Sequence, residues 1–189
     1  NGNLGDFGAA RDGLEIVEWL VSHGVQVYIN TNGSMRSPEW WSKLALPGVI
    51  IGFALDGIDQ ETHVKYRQDT NWNTVIENAR AFIKAGGYAI WRWIPFDHNR
   101  DQEAACRLLA EGWGFKQFEN IHEGRDQGPV FARDGNLSHW LGPKQNWPVD
   151  SKRMVEDHIT WFDAKTVKPV KYTPVLNMIC QHKRQEELY

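Results

Sequence analysis

The sequence predicts an α/β fold built on a parallel sheet. Three observations predict it. Short apolar runs alternate with stretches of helical periodicity, Gly or Pro punctuates the junctions, and residues 49–55 (VIIGFAL) are almost wholly apolar, as a strand covered on both faces must be.

The elements run in order along the chain. Leu14, Val17, Leu20 and Val21 make a helical stripe, and Gly24 can stop that helix. Residues 25–30 (VQVYIN) read as a strand. Ser37 is a good N-cap and Pro38 suits the first helical position, so a second helix carries Trp40, Trp41 and Leu44 and ends before Pro47. The apolar strand 49–55 comes next. Residues 72–85 are helical, with Val75, Ile76, Ala79 and Phe82 or Ile83 turned inward, and Gly86 and Gly87 end the helix. A strand over 88–95 (YAIWRWIP), a helix over 101–111 and a strand over 115–121 complete the series.

Such alternation implies right-handed βαβ crossovers. Ligands of parallel sheets bind outside the carboxyl ends of the strands. The loops 1–6, 31–34, 56–67, 96–99 and 122–126 are therefore the functional candidates. From Gly128 onward the repeat disappears and Pro129, Pro143, Pro148, Pro169 and Pro174 punctuate the chain. Residues 1–127 are read as the repeating domain. Residues 128–189 are read as an irregular connector that crosses the mouth of the sheet toward a further module.

Composition narrows the class. The chain has 189 residues, 41% of them hydrophobic, with a formal net charge of −3. That balance sets up no field for nucleic acid or an anionic membrane. No apolar run approaches the ~20 residues that span a bilayer. No signal peptide is expected, and the two cysteines, Cys106 and Cys180, are far apart, so a disulfide framework is not expected and a cytoplasmic protein is. The first methionine is Met35, and the chain opens on turn residues. An excerpt from a longer protein is expected.

Three polar signatures stand at the strand ends. The first is Gly2-Asn3-Leu4-Gly5-Asp6, whose glycines let the backbone approach a ligand and whose Asn and Asp supply acceptors. The second is Thr31-Asn32-Gly33-Ser34, which offers hydroxyls on a tight turn. The third is Leu55-Asp56-Gly57, followed by Arg67, whose guanidinium can bind a carboxylate bidentately. Each has an ordinary explanation: a tight turn for the first two, and for Arg67 a surface ion pair with Glu61 or Asp69.

In this order and spacing the three resemble the radical S-adenosylmethionine (SAM) superfamily, with most likeness to members that carry a C-terminal SPASM-type extension. The resemblance covers roughly residues 1–120. It implies a partial (β/α)6 barrel that binds a [4Fe–4S] cluster and SAM at the carboxyl ends of its strands. By resemblance, Gly2, Asn3, Gly5 and Asp6 would meet the SAM amino group, Thr31, Asn32 and Ser34 would lie at the next strand end, and Arg67, with Asp56 before it, would bind the SAM carboxylate. Phe96-Asp97-His98-Asn99 is similar to a Phe-x-His-Asn segment after the family's fifth strand.

One departure matters. The family's Cys-x3-Cys-x2-Cys loop is not in these 189 residues. The excerpt is expected to be inactive alone, with the cluster in the intact parent and the missing loop just upstream of Asn1. Cys106, in an Ala- and Leu-rich helix, reads as a small buried hydrophobe. Cys180 is a weak candidate for an auxiliary cluster.

The implied activity is reductive cleavage of SAM to a 5′-deoxyadenosyl radical that modifies a peptide or protein. Arg92, Asp97 and His98 are weak candidates for substrate contact. Trp91 and Trp93 alternate with Arg92, and whichever side faces the barrel interior is left open. His98, His122, His139 and His158 are not at metal-ligand spacing. Two alternatives compete with this reading. One is a non-catalytic SAM-barrel relic that acts as a binding module. The other is an unrelated β/α-barrel isomerase, which would use Asp6 and Asp56.

Overall fold

A computed structural model describes residues 5–121, 128–132 and 134–142. The chain divides into two units, residues 1–132 with 137–145, and residues 133–136 with 146–189. Every helix and strand named below belongs to the first unit. Gly2, Asn3, His122, His158 and Cys180 lie outside the described residues.

The repeat predicted from the sequence is present. Helix α1 (Gly13–Ser22) leads to strand β1 (Val27–Thr31), α2 (Pro38–Lys43) to β2 (Val49–Ala54), α4 (Trp72–Lys84) to β3 (Tyr88–Trp93), and α5 (Glu103–Gly112) to β4 (Gln117–Asn120). The sheet order is β1-β2-β3-β4 with every neighbour parallel. The described residues thus form a mixed α/β architecture with a four-stranded parallel sheet, and a barrel is not shown among them.

Local chemistry explains the boundaries. The Ser37 hydroxyl accepts the Trp40 N–H and caps α2, with Pro38 inside its first turn. Asn71 caps α4 through the Thr74 N–H at 3.0 Å. Two elements differ from the sequence expectation. A one-turn helix, α3 (Gln60–His63), sits inside the loop read as 56–67, capped by Asp59 on the Thr62 N–H. Residues Gly128–Phe131 (β5) and Leu137–Leu141 (β6) pair as an antiparallel hairpin, in a stretch read as irregular.

The two faces of the sheet differ. Ile51, Phe53, Trp91 and Trp93 are fully buried in one cluster with Val75, Ala79 and Phe82 of α4 and Cys106 and Ala110 of α5. The Trp91 ring stacks on Trp113 at 6.1 Å and meets Phe115 edge-on at 5.3 Å. The orientation of strand 88–93 is therefore decided: both tryptophans face the helix layer, and Arg92 lies on the opposite face, paired with Glu119 at 3.2 Å. Gly52 makes room for it. A Cβ there would stand 2.5 Å from Arg92 Cδ and 2.7 Å from Asn30 Oδ1.

A second, smaller cluster forms beyond the end of β3. Ile94, Phe96 and Leu141 are buried together, with Tyr66, Ile121 and Val130 against them. The hairpin is thereby fastened to the strand-end loops, and the His139 imidazole meets the Lys65 carbonyl at 2.6 Å. No helix among the described residues is long and apolar enough to cross a membrane.

Candidate functional site

The nominated residues gather at the carboxyl ends of β1 and β2 in two hydrogen-bonded clusters. The first is centred on Asp6. Its Oδ1 accepts from Gly8 N–H (2.9 Å) and the Thr31 hydroxyl (2.7 Å), and its Oδ2 accepts from Asn32 N–H (2.7 Å). The Thr31 oxygen accepts Gly33 N–H, and Asn32 Oδ1 accepts both the N–H and the hydroxyl of Ser34. Asn78, fully buried on α4, donates to the Gly33 carbonyl at 2.8 Å. Asp6, Thr31, Asn32 and Ser34 thus bind one another and fix the shape of two adjoining turns. Gly5 is exposed beside them.

The second cluster is centred on Asp56, which has no exposed surface. Its Oδ2 pairs with Arg67 Nε at 2.6 Å and its Oδ1 accepts Ile94 N–H at 2.7 Å. Asn99, also fully buried, donates from Nδ2 to the Asp56 and Ile94 carbonyls (3.0 Å each) and accepts Phe96 N–H on Oδ1. The ends of β2 and β3 are locked together by this exchange. Burial pushes the Asp56 carboxyl above the ordinary carboxylate range, against the pull of the Arg67 guanidinium and the Ile94 N–H.

Both Asp56 oxygens are committed inside the chain, one to Arg67 and one to Ile94 N–H. Arg67 pairs with Asp56, not with the Glu61 or Asp69 partners weighed from sequence. Its side chain is 24% exposed and lies over the Tyr66 ring at 4.8 Å. Among the described residues its two terminal nitrogens make no hydrogen bond, which leaves the planar fork open for an anion.

The weaker candidates separate. Arg92 is on the sheet face opposite the helices, with Glu119 and near Tyr28, whose phenol is held above its ordinary value by burial and by the Glu119 charge. Asn30 Oδ1, beside Gly52 on that face, is buried without a hydrogen-bond partner among the described residues. Asp97 makes an exposed ion pair with Arg100 one turn on. His98 stacks flat on Phe96 at 5.3 Å, and burial with the nearby Lys65 charge lowers its pKa. Cys106 has no exposed surface, and burial pushes its thiol up to about 12, so it is an inert core residue. Among the described residues no three His, Cys, Asp or Glu side chains group as a metal would require.

Sequence reasoning missed His63. It is fully buried, and burial with the neighbouring Arg67 guanidinium pushes its imidazole down to about 4. A base with a lowered native pKa binds fewer protons when folded. Its contribution to stability is therefore complete above about pH 6.5, its ordinary value, and is lost as pH falls toward 4. The size is about 3 kcal/mol. Urea unfolding at pH 7 and pH 4.5 checks this: His63→Asn, which does not titrate, is expected to flatten the fall between those values.

No family model matches the chain, and no curated protein does. Solved structures do resemble it. Streptococcus suis SuiB superposes with a TM-score of 0.55 at 12% identity, over 84% of this chain and 34% of that one. SuiB bound to S-adenosylmethionine gives 0.57 at 12% identity, over 84% and 35%. SuiB bound to its precursor peptide SuiA gives 0.57 at 13%, over 84% and 34%. The chain therefore shares the fold of part of SuiB and spans about a third of its length.

Proposed function

We propose that this chain is the SAM-binding part of a radical SAM enzyme of the SPASM-like subgroup that modifies a peptide or protein. The observation that carries the reading is Arg67. Its Nε is anchored on a buried carboxylate, and among the described residues its terminal nitrogens make no hydrogen bond. A fork held that way suits the carboxylate of an amino-acid moiety. The order of the three strand-end signatures supports the same ligand. So does the shared fold with SuiB, a protein crystallised with S-adenosylmethionine and with a precursor peptide. Fold likeness alone would not name a function.

The residues fit SAM and do not fit an iron–sulfur cluster. The Arg67 fork answers the carboxylate. Asn30 Oδ1 is a buried acceptor without a hydrogen-bond partner among the described residues. A cluster needs thiolates, and of the chain's two cysteines Cys106 is sealed in the core with its thiol protonated. When bound to a reduced cluster, SAM supplies a primary carbon radical. The role of these residues is to bind and orient SAM.

Calorimetric titration with SAM tests the reading. Arg67→Ala is expected to weaken binding by about 1.5–3 kcal/mol, the scale of a charge-assisted hydrogen bond. Wild-type binding that Arg67→Ala leaves unchanged would remove Arg67 as the clamp. No SAM binding by the wild type would remove the function. Iron–sulfur absorbance in a longer chain separates the enzyme from a SAM-binding relic.

A further inference from the structure

We propose that His63 is a positioning residue, fixed as the neutral Nε2–H tautomer, that holds Asp56 and Arg67 at their pairing distance. Its role toward SAM rests on the reading of Arg67 as the carboxylate clamp. Proton counting fixes the state of the ring. Asp56 N–H donates to His63 Nδ1 at 3.3 Å, so Nδ1 must carry a lone pair. On the other side of the ring, Nε2 lies 2.9 Å from the Thr70 hydroxyl oxygen. That hydroxyl has one proton, and it goes to the Arg67 carbonyl at 2.5 Å, which can only accept. Nε2 must then be the donor. The path runs from Asp56 N–H to His63, from His63 to Thr70, and from Thr70 to the Arg67 carbonyl.

The backbone closes the same loop, since Arg67 N–H donates to the His63 carbonyl at 3.0 Å. One ring thus touches the acceptor residue of the ion pair directly and its donor residue through one hydroxyl. The backbone here is tightly packed as well, since a Cβ at Gly57 would stand 2.7 Å from the His63 amide nitrogen and 2.8 Å from Thr62 Cβ. Desolvation and the Arg67 charge keep the ring neutral, which the bonding pattern demands. A protonated ring would set two donors, Nδ1–H and Asp56 N–H, against each other.

Thr70 is the place to test this, because it joins the ring to Arg67 without touching Asp56. Two readouts need no ligand. Two-bond nitrogen–proton correlation in the 15N-labelled chain reads the His63 tautomer, and proton exchange at Arg67 Nε reports how firmly that group is held. Thr70→Val is isosteric and removes the hydroxyl, while Thr70→Ser keeps it. The expected result is an Nε2–H tautomer in the wild type. Arg67 Nε–H exchange should be about five- to tenfold faster in Thr70→Val, the factor of one net hydrogen bond, and restored in Thr70→Ser. Amide exchange in β2 and β3 should stay unchanged. SAM affinity should fall and recover in step.

An Nδ1–H tautomer, or wild-type exchange in Thr70→Val, overturns the proposal while leaving SAM binding free to stand. A wild-type chain that ignores SAM but shows the exchange pattern overturns the functional reading and keeps the positioning role. If Thr70→Val does not fold, the wild-type tautomer still decides.

Discussion

Asp56→Ala is expected to destabilise the fold by about 3–5 kcal/mol, the cost of removing one partner from a buried ion pair. Two effects combine in that loss. The Arg67 Nε loses its 2.6 Å partner, and the buried Ile94 N–H loses its acceptor. Asp56→Asn separates charge from hydrogen bonding. An amide oxygen can still accept Ile94 N–H, while the attraction to Arg67 is gone, so the loss should be about half as large. Urea unfolding of the two variants beside wild type measures this. A loss below about 1 kcal/mol for Asp56→Ala would mean that Arg67 finds another anion and that the pair does not organise the strand end.

Much of this architecture is written in local sequence. The first three strands of the sheet are β-branched or aromatic runs that must hide at least one face. Helix starts such as those of α2 and α4 have a residue whose side chain can take an orphan N–H, as Ser37 and Asn71 do. Those signals act over a few residues, so they survive without tertiary information. The hairpin did not show itself for the opposite reason. Pro129 looks like a strand breaker, but it is tolerated in a two-stranded ribbon, where half the backbone groups need no partner. The four residues of α3 are too few for any periodicity to appear.

The candidate site divides along the same line. Thr31, Asn32, Asp56 and Arg67 are visible because a polar cluster after an apolar strand marks a loop at the ligand end. His63 and Asn99 look like any loop residues. Their importance comes from complete burial and from partners 7 to 43 residues away, which no local pattern encodes. The W-R-W alternation of β3 states that the sides differ but not which is inside. Trp113 and Phe115, more than twenty residues later, decide it by offering aromatic partners on the helix side.

That decision makes Trp91 the second sensitive point. Trp91→Ala is expected to cost about 3–5 kcal/mol through lost burial and the cavity left in the core. The ring is fully buried, stacked between Trp113 and Phe118 and edge-on to Phe115. It also has a polar role, because its Nε1–H donates to the Leu55 carbonyl at 2.8 Å, one residue before Asp56. Trp91→Phe isolates that hydrogen bond. It keeps most of the apolar bulk and should cost about 1–2 kcal/mol, mainly for the orphaned carbonyl. The two variants should also differ at Arg67. If the indole only fills space, Trp91→Phe leaves SAM affinity at the wild-type value. If it fixes the turn from β2 into Asp56, affinity falls even where thermal unfolding shows the domain folded. Core and site would then be coupled through a single hydrogen bond at the strand end.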